Sequence, residues 1–171
     1  DMTTVIQSYP KNVMDVTFNL VGSHDTPRIL TECQEDVDRV KLIYTMLYTF
    51  MGSPCMYYGD EIGMTGGKDP GCRKCMEWDP EKQDTDLLQH VKKLMSLRQT
   101  EKLLANEGSF QFLNQFKTEV VAYRKYQDDQ NIIVIINPTD ADQTFTIPHI
   151  VKGTSVKNLW TDEEFVSTDV T

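Results

Sequence analysis

The chain has 171 residues, which is enough for one domain or two small ones. It carries 17 lysines and arginines against 26 aspartates and glutamates, and the formal net charge of −9 argues against nucleic-acid and anionic-membrane partners, because both bind basic patches. No apolar run approaches the length of a membrane span. Four cysteines are too few for a disulfide scaffold in a chain of this length, so we expect a reducing, cytoplasmic compartment.

The first predicted strand covers residues 16–21. The chain opens on Asp1-Met2-Thr3-Thr4, which has neither the basic flank nor the apolar core of a signal peptide and is not typical of a natural start. Residues 1–9 are predicted as the end of a helix that stops near Pro10. Residues 16–21 are rich in β-branched and aromatic side chains without strict alternation, which favours a strand buried on both faces, as in a parallel sheet.

His24 and Asp25 come directly after this strand, beyond two residues that break it. In α/β barrels and open α/β sheets, catalytic and binding residues are mounted at the carboxyl ends of strands. An imidazole beside an acceptor-only carboxylate can bind the hydroxyls of a sugar. The alternative is that Asp25 or Thr26 only starts a turn and that His24 is an ordinary hydrogen-bonded polar residue.

A helix and a second strand follow. Residues 36–51 place apolar side chains at steps of three and four, and this stripe consists of Val37, Val40, Tyr44, Leu47 and Met51. Gly52, Ser53 and Pro54 end the helix, and residues 55–58 form the next short buried strand. Strand, helix and strand therefore predict a parallel βαβ unit.

A long loop is predicted over residues 59–86, and loops of this length inside a compact domain are usually functional. Asp69 and Arg73 lie on it, and a carboxylate and a planar guanidinium can bracket sugar hydroxyls, although a loop salt bridge explains them equally well. A four-thiolate zinc site is conceivable from Cys33, Cys55, Cys72 and Cys75. Because there is only one CxxC spacing and Cys55 falls in a predicted buried strand, free thiols are favoured.

The pattern changes after the next helix, predicted over residues 87–98. Short strands separated by turn clusters are predicted at 110–113, 120–126, 132–136, 143–147 and 156–160, which is the pattern of an antiparallel β-sandwich. Its aromatic side chains could form an exposed ligand-binding surface, but packing explains them more simply; they are Phe110, Phe112, Phe116, Tyr123 and Trp160.

Three segments carry a resemblance to a known family. FNLVGSHDT at residues 18–26 resembles the fourth signature segment of glycoside hydrolase family 13, the α-amylase family. GSPCMYYGDEIGM at 52–64 resembles the eighth barrel strand of that family and its exit loop, and TGGKDPGCRKCMEWD at 65–79 resembles its neopullulanase, cyclomaltodextrinase and maltogenic amylase branch. The segments occur in the order of the family and at compatible spacings.

The resemblance implies an α/β part followed by an all-β part. Residues 1–100 are expected to supply the last two β/α units of a TIM (β/α)8 barrel. Residues 101–171 are expected to form an antiparallel β-sandwich, which the family usually extends by one further strand. Two strands cannot close an eight-stranded barrel, so their unpaired edges predict self-association of the first hundred residues.

The resemblance also implies roles for individual residues. Asp25 matches the acidic residue that grips the sugar whose bond is cleaved and stabilises its transition state, and His24 matches a histidine that binds the same sugar. Asp69 and Arg73 match a pair that contacts sugar further into the donor side. Asp60 and Glu61 are adjacent carboxylates that invite an acid–base role, but the resemblance favours a structural role for them.

The implied substrate is an α-glucan oligosaccharide such as a maltodextrin, a cyclodextrin or pullulan, cleaved by a retaining mechanism without a cofactor or metal. Retaining chemistry needs a nucleophile and an acid, and the resemblance places both on earlier strands, so the chain alone is expected to be inactive. The parent enzyme could be a homodimer. Two alternatives remain open, which are a carbohydrate-binding β-sandwich module and a zinc-stabilised interaction domain.

Overall fold

The computed structural model describes residues 4, 6, 8–113, 119–148 and 150–168. The chain divides into two compact units, Asp1–Phe110 with Lys125–Ile132 and Gln111–Arg124 with Ile133–Thr171. The predicted helix over residues 1–9 falls largely outside the described residues, as does Phe116. No helix in the described part of the chain is long and apolar enough to span a membrane.

The first unit contains a parallel βαβ arrangement, as predicted. After a short helix α1 (Lys11–Met14), strand β1 (Phe18–Leu20) pairs in parallel with β2 (Ser53–Cys55), with Phe18 opposite Ser53 and Leu20 opposite Cys55. The predicted start of the second strand at residue 55 is wrong by two positions. Gly52 turns the chain at a φ of +92°, and the Ser53 amide then already donates to the Thr17 carbonyl at 2.8 Å.

Three helices pack around the first unit's core. They are α2 (Ile29–Glu32), α3 (Val37–Thr49) and α4 (Thr85–Thr100). Carboxylates cap the two longer helices: Asp36 accepts from the Arg39 amide at 3.0 Å, and Asp84 accepts from the Leu87 amide at 2.9 Å. The helices share a buried cluster, whose members include Leu30, Val40, Tyr44, Leu47, Leu87, Val91 and Leu94. The predicted apolar stripe is confirmed for Val40, Tyr44 and Leu47, and Val37 packs against the cluster. Met51 lies beyond the end of α3 at Thr49 and is not part of the cluster.

The loop between β2 and α4 is ordered by three short 3₁₀ turns rather than by regular structure. These turns are Asp60–Ile62, Gly71–Arg73 and Pro80–Lys82. The first is bounded by Gly59 and Gly63, which both have positive φ angles. The loop also returns to the helix start, because the Asp84 amide donates to the Ile62 carbonyl at 3.0 Å.

The β-rich region contains two small sheets among the described residues. One has the order β3 (Ser109–Phe112), β4 (Val121–Gln127) and β5 (Gln130–Ile136), and the other pairs β6 (Ser155–Lys157) with β7 (Glu164–Val166) in an antiparallel register. Only two residues join β4 to β5, a connection that antiparallel strands alone can use. Asp128 adopts a positive φ of 51° there.

One predicted strand of this region is wrong, and one observed strand was not predicted. Residues 143–147 alternate like a strand but have no regular structure, and Phe145 packs on the cluster of Leu113, Val120 and Ala122 without ladder bonds. Alternation alone does not make a strand when no partner backbone is in register. Strand β7 was not predicted, because its three residues are all exposed and carry no burial signal.

The exposed side of β1 predicts self-association. Phe18 is 72% and Leu20 53% exposed, and their strand pairs only with β2 among the described residues. Open strand edges with apolar side chains pair with other copies. We expect sedimentation of the chain to show concentration-dependent oligomers and Phe18→Lys to reduce them.

Phe165→Lys is the matched control, because Phe165 is also about half exposed but lies on β7 in the other unit. It should leave the oligomers unchanged. A clean monomer at high concentration, or equal effects of the two variants, would contradict the assignment of β1 as the association edge.

Candidate active site

The turn after β1 presents His24 and Asp25 to solvent. Two hydrogen bonds shape the turn: the Ser23 amide donates to the Thr26 hydroxyl at 3.0 Å, and the Asp25 amide donates to the Ser23 hydroxyl at 3.2 Å. The imidazole Nε2 of His24 then lies 3.3 Å from the Asp25 carboxylate oxygen Oδ1. The predicted pair is therefore formed, with both side chains more than half exposed.

Arg73 joins the two predicted pairs. Its Nε lies 2.8 Å from Oδ1 of Asp69 and also donates to the His24 carbonyl at 3.1 Å. Its Nη2 lies 3.4 Å from Oδ1 of Asp25. The structure thus brings all four predicted residues into one cluster, although Asp25 and Arg73 are 48 positions apart in the chain.

This cluster is accessible and carries both signs of charge. The side chains of Asp25, Asp69 and Arg73 are 70%, 50% and 47% exposed, so water rather than protein surrounds much of each. Carboxylates accept from hydroxyl groups and a guanidinium donates to their oxygens. A molecule rich in hydroxyl groups can therefore exchange hydrogen bonds with every member of the cluster.

A buried ion pair lies beneath the cluster. Arg28 is 1% exposed, and its Nη1 lies 3.0 Å from Oδ1 of Asp60, which is equally buried. Its Nε donates to the Cys72 carbonyl at 2.9 Å, and Nη1 also donates to the Tyr58 carbonyl. The guanidinium carbon sits 4.3 Å from the ring centre of Tyr57, a cation–π distance.

These contacts position the exposed residues. Arg28 follows Asp25 by three residues, and Cys72 directly precedes Arg73, so the Arg28–Cys72 hydrogen bond ties the two halves of the cluster together. The Cys72 thiol adds a second link by donating to the His24 carbonyl at 3.2 Å. Asp60 is therefore structural, in agreement with the interpretation favoured from the sequence.

Burial also sets the chemistry of Asp60. Loss of solvent raises the pKa of its carboxyl to about 6, and the neighbouring Arg28 guanidinium limits that rise. Its second oxygen, Oδ2, points at Gly22, where an added Cβ would lie only 2.8 Å away. A side chain at position 22 would thus collide with the carboxylate that holds Arg28.

Sequence reasoning missed Arg28, Gly22 and the thiol of Cys72. Arg28 carried a usable signal, because a charged residue directly before the apolar pair Ile29-Leu30 must either leave the core or find a counter-ion. The proposed zinc site finds no support from the thiols: Cys72 donates to a backbone carbonyl. Among the described residues, no group of three or more His, Cys, Asp or Glu is placed to hold a metal ion.

Comparisons with known proteins agree on one family. The family model described as "Alpha amylase, catalytic domain" matches residues 1–129. A maltogenic alpha-amylase from Bacillus acidopullulyticus is 50% identical over 97% of this chain and 29% of its own length. A cyclomaltodextrinase from Geobacillus thermopakistaniensis is 47% identical over 95% of this chain and 28% of its own length. The chain therefore spans less than a third of these relatives.

The fold gives the same result. A solved structure of a cyclomaltodextrinase superposes with a TM-score of 0.81 at 40% sequence identity. The match covers 89% of this chain and 26% of that one. The arrangement described above is therefore similar to one segment of larger proteins.

Removing the buried carboxylate should cost far more stability than removing an exposed one. We expect Asp60→Ala to lower the free energy of unfolding by about 3–5 kcal/mol, because it leaves a buried guanidinium without its counter-ion. Asp25→Ala, the control, removes an exposed ion pair and should cost about 1 kcal/mol or less. Urea denaturation of the chain measures both, and equal losses would contradict the bracing role of Asp60.

The isosteric variant Asp60→Asn keeps an oxygen for Arg28 and should lose less stability than Asp60→Ala. Since the folded-state pKa of Asp60 lies above its usual 3.8, the folded state binds more protons than the unfolded state between pH 3.8 and about 6. The unmodified protein should therefore lose stability relative to Asp60→Asn as pH rises through that window. An opposite slope would show that Arg28 outweighs desolvation.

Proposed function

Because this chain belongs to the α-amylase family of glycoside hydrolases, we propose that it forms the C-terminal part of an enzyme that cleaves α-glucosidic bonds in maltodextrins, cyclodextrins or pullulan with retention of configuration. In this proposal residues 1–100 supply the last two β/α units of the catalytic barrel, and residues 101–171 form a β-sandwich. The parallel pair β1 and β2, linked through α3, supports the barrel assignment.

The observation that carries the proposal is the cluster of His24, Asp25, Asp69 and Arg73. Four residues selected for sugar binding meet at the carboxyl end of β1, with polar atoms 2.8–3.4 Å apart. Ligands of parallel α/β folds bind at that end of the strands. A loop salt bridge would account for Asp69 and Arg73 alone, but not for their convergence on His24 and Asp25.

Asp25 has the properties that stabilise a glycosidic transition state. Glycoside hydrolysis passes through an oxocarbenium-like state, and hydrogen bonds from sugar hydroxyls that strengthen there contribute several kcal/mol. The Asp25 carboxylate accepts such bonds and its negative charge faces the developing positive charge. The Nη2 of Arg73 and the Nε2 of His24 lie 3.4 Å and 3.3 Å from the same carboxylate oxygen, Oδ1.

Asp25 does not act as nucleophile or leaving-group acid in this proposal. A retaining mechanism uses two further carboxyl groups about 5 Å apart. The family resemblance assigns these to earlier strands of the barrel. In this proposal those two carboxyl groups make and break bonds, while the sugar is held by Asp25, His24, Asp69 and Arg73.

The alternative function, a carbohydrate-binding module built on sandwich aromatics, has weaker support. Tyr123 is fully buried, and Phe112 packs against it edge-on with ring centres 6.3 Å apart. Phe110 packs against Phe50 in the same manner at 5.0 Å. Rings committed to packing do not offer a face to sugar, so the proposed binding surface lacks three of its five aromatics.

The proposal predicts a kinetic effect of Asp25→Asn in the full-length enzyme. We expect kcat on maltodextrins to fall by about 100-fold or more, because the lost charge acts mainly in the transition state. Thermal unfolding should change little, since the carboxylate is exposed. Asp38→Asn, on the exposed start of α3, is the control and should retain full kcat.

A near-normal kcat in well-folded Asp25→Asn would remove Asp25 from the mechanism. The 171-residue chain alone is the negative control for turnover, because the proposal leaves it without nucleophile and acid. If the chain alone hydrolysed substrate and Asp25→Ala abolished that activity, the assignment of nucleophile and acid to other residues would be contradicted.

Arg73 should affect substrate binding more than the chemical step. We expect Arg73→Ala to raise KM for longer maltodextrins with a smaller change in kcat, because the guanidinium contacts sugar away from the cleaved bond in this proposal. Arg73→Lys keeps the charge but loses the two-pronged donor geometry, so it should rescue KM only in part. Unchanged KM in both variants would show that Arg73 serves only as a loop brace.

A further inference from the structure

Lys125 is a buried amine that the candidate active site does not use. It lies on β4, its residue is 2% exposed, and it lines a cavity of about 350 Å³ within the first unit. Its lining also includes Tyr9, Met14 and Met51. Ligand cavities in proteins run from about 300 to 1,000 Å³, so this one has room for a small molecule only.

The hydrogen bonds of Lys125 suit the neutral amine. In the part of the chain that the structure describes, Nζ donates to the Leu104 carbonyl at 2.9 Å and to the Asn106 side-chain oxygen at 3.3 Å, and it forms no ion pair. A neutral amine has two N–H donors and one lone pair, whereas an ammonium has three donors. Two acceptors therefore satisfy the neutral form and leave its lone pair free.

The charges around Lys125 act in the same direction. Burial is the largest cause that lowers the pKa of this amine to about 7, and repulsion from Arg98 and Lys11 contributes to the same shift. Asp15 opposes them, but its carboxylate is already paired with Lys11 at 2.5 Å. Arg98 is fixed in place because Nη1 donates to the carbonyls of Tyr48 and Phe50 at 2.8 and 3.2 Å.

We propose that Lys125 is a carbonyl-reactive site, at which a small aldehyde enters the cavity and forms an imine with the buried amine. The lone pair of Nζ forms a C–N bond to the carbonyl carbon, and the carbonyl oxygen takes up a proton. Both N–H protons leave the nitrogen and depart with the carbonyl oxygen as water, so that the C=O bond is broken and a C=N bond takes its place. The net reaction joins amine and aldehyde and releases one water.

The open-chain aldehyde of a reducing sugar is the natural reactant of this class. Cleavage of α-glucosidic bonds releases reducing ends, so this part of the inference rests on the proposed function. The amine chemistry itself does not, because it depends only on the cavity and on the contacts of Lys125.

The experiment is competitive labelling of the intact chain. Limiting glyceraldehyde with cyanoborohydride traps imines as stable adducts, and peptide mass spectrometry gives the labelled fraction of each lysine. Lys92, exposed on α4, is the internal reference, and glycerol, which has no carbonyl, is the reagent control. At pH 7 an amine with a pKa of about 7 is half in the neutral form. The neutral fraction of a lysine with the reference pKa is roughly 1,000-fold smaller at this pH.

We expect labelling of Lys125 to exceed that of Lys92 by at least tenfold at pH 7 and the ratio to fall towards one by pH 10. The preference should disappear in urea, where the cavity is lost. Labelling of Lys125 no greater than that of Lys92 at pH 7, or a preference that persists in urea, would overturn the inference. Neither result bears on hydrolysis, so failure here is separate from failure of the proposed function.

Discussion

Arg28 carries a charge that folding removes from water, and the described hydrogen bonds of its guanidinium all go to the segment between Tyr58 and Cys72. A guanidinium in that position must find acceptors or destabilise the fold. Because it finds them on the exit loop of β2, the loop has one defined position against the turn that follows β1. The four candidate site residues lie on these two segments, so their geometry depends on this buried cation.

The two charge networks differ in what they can do. The buried network, between Arg28 and Asp60, is shielded from solvent, so a ligand cannot reach it. The exposed network, between Asp25, Asp69 and Arg73, is about half accessible to solvent or more and contributes little to stability by itself. Exposed side chains can give up water for ligand hydroxyls at small cost, whereas the buried network keeps their backbone fixed. In the proposed site, the buried residues thus position the backbone and the exposed ones contact the ligand.

Local signals identified the parallel βαβ unit and the position of His24 and Asp25, because apolar periodicity and strand ends are properties of neighbouring residues. They could not identify the partners of Arg28, which lie 30 to 44 positions away along the chain. The same limit explains the errors in the β-rich region. Residues 143–147 have the composition of a strand, but the packing of Phe145 rather than a backbone ladder determines their course. Strand β7 shows the opposite. Its amino-acid composition does not predict a strand, but its backbone pairs with β6.

Gly22 and Asp60 come from segments far apart in the chain, yet they occupy one shared volume: the oxygen Oδ2 of Asp60 fills the space that any larger residue at position 22 would need. The acceptable residues at these two positions are therefore not independent. In the course of divergence, a larger residue at position 22 can be retained only after position 60 has shortened or its loop has moved, and each such change also alters the support of Arg28. Glycine before the His24–Asp25 turn is thus required by a side chain on another loop rather than by the conformation of its own turn.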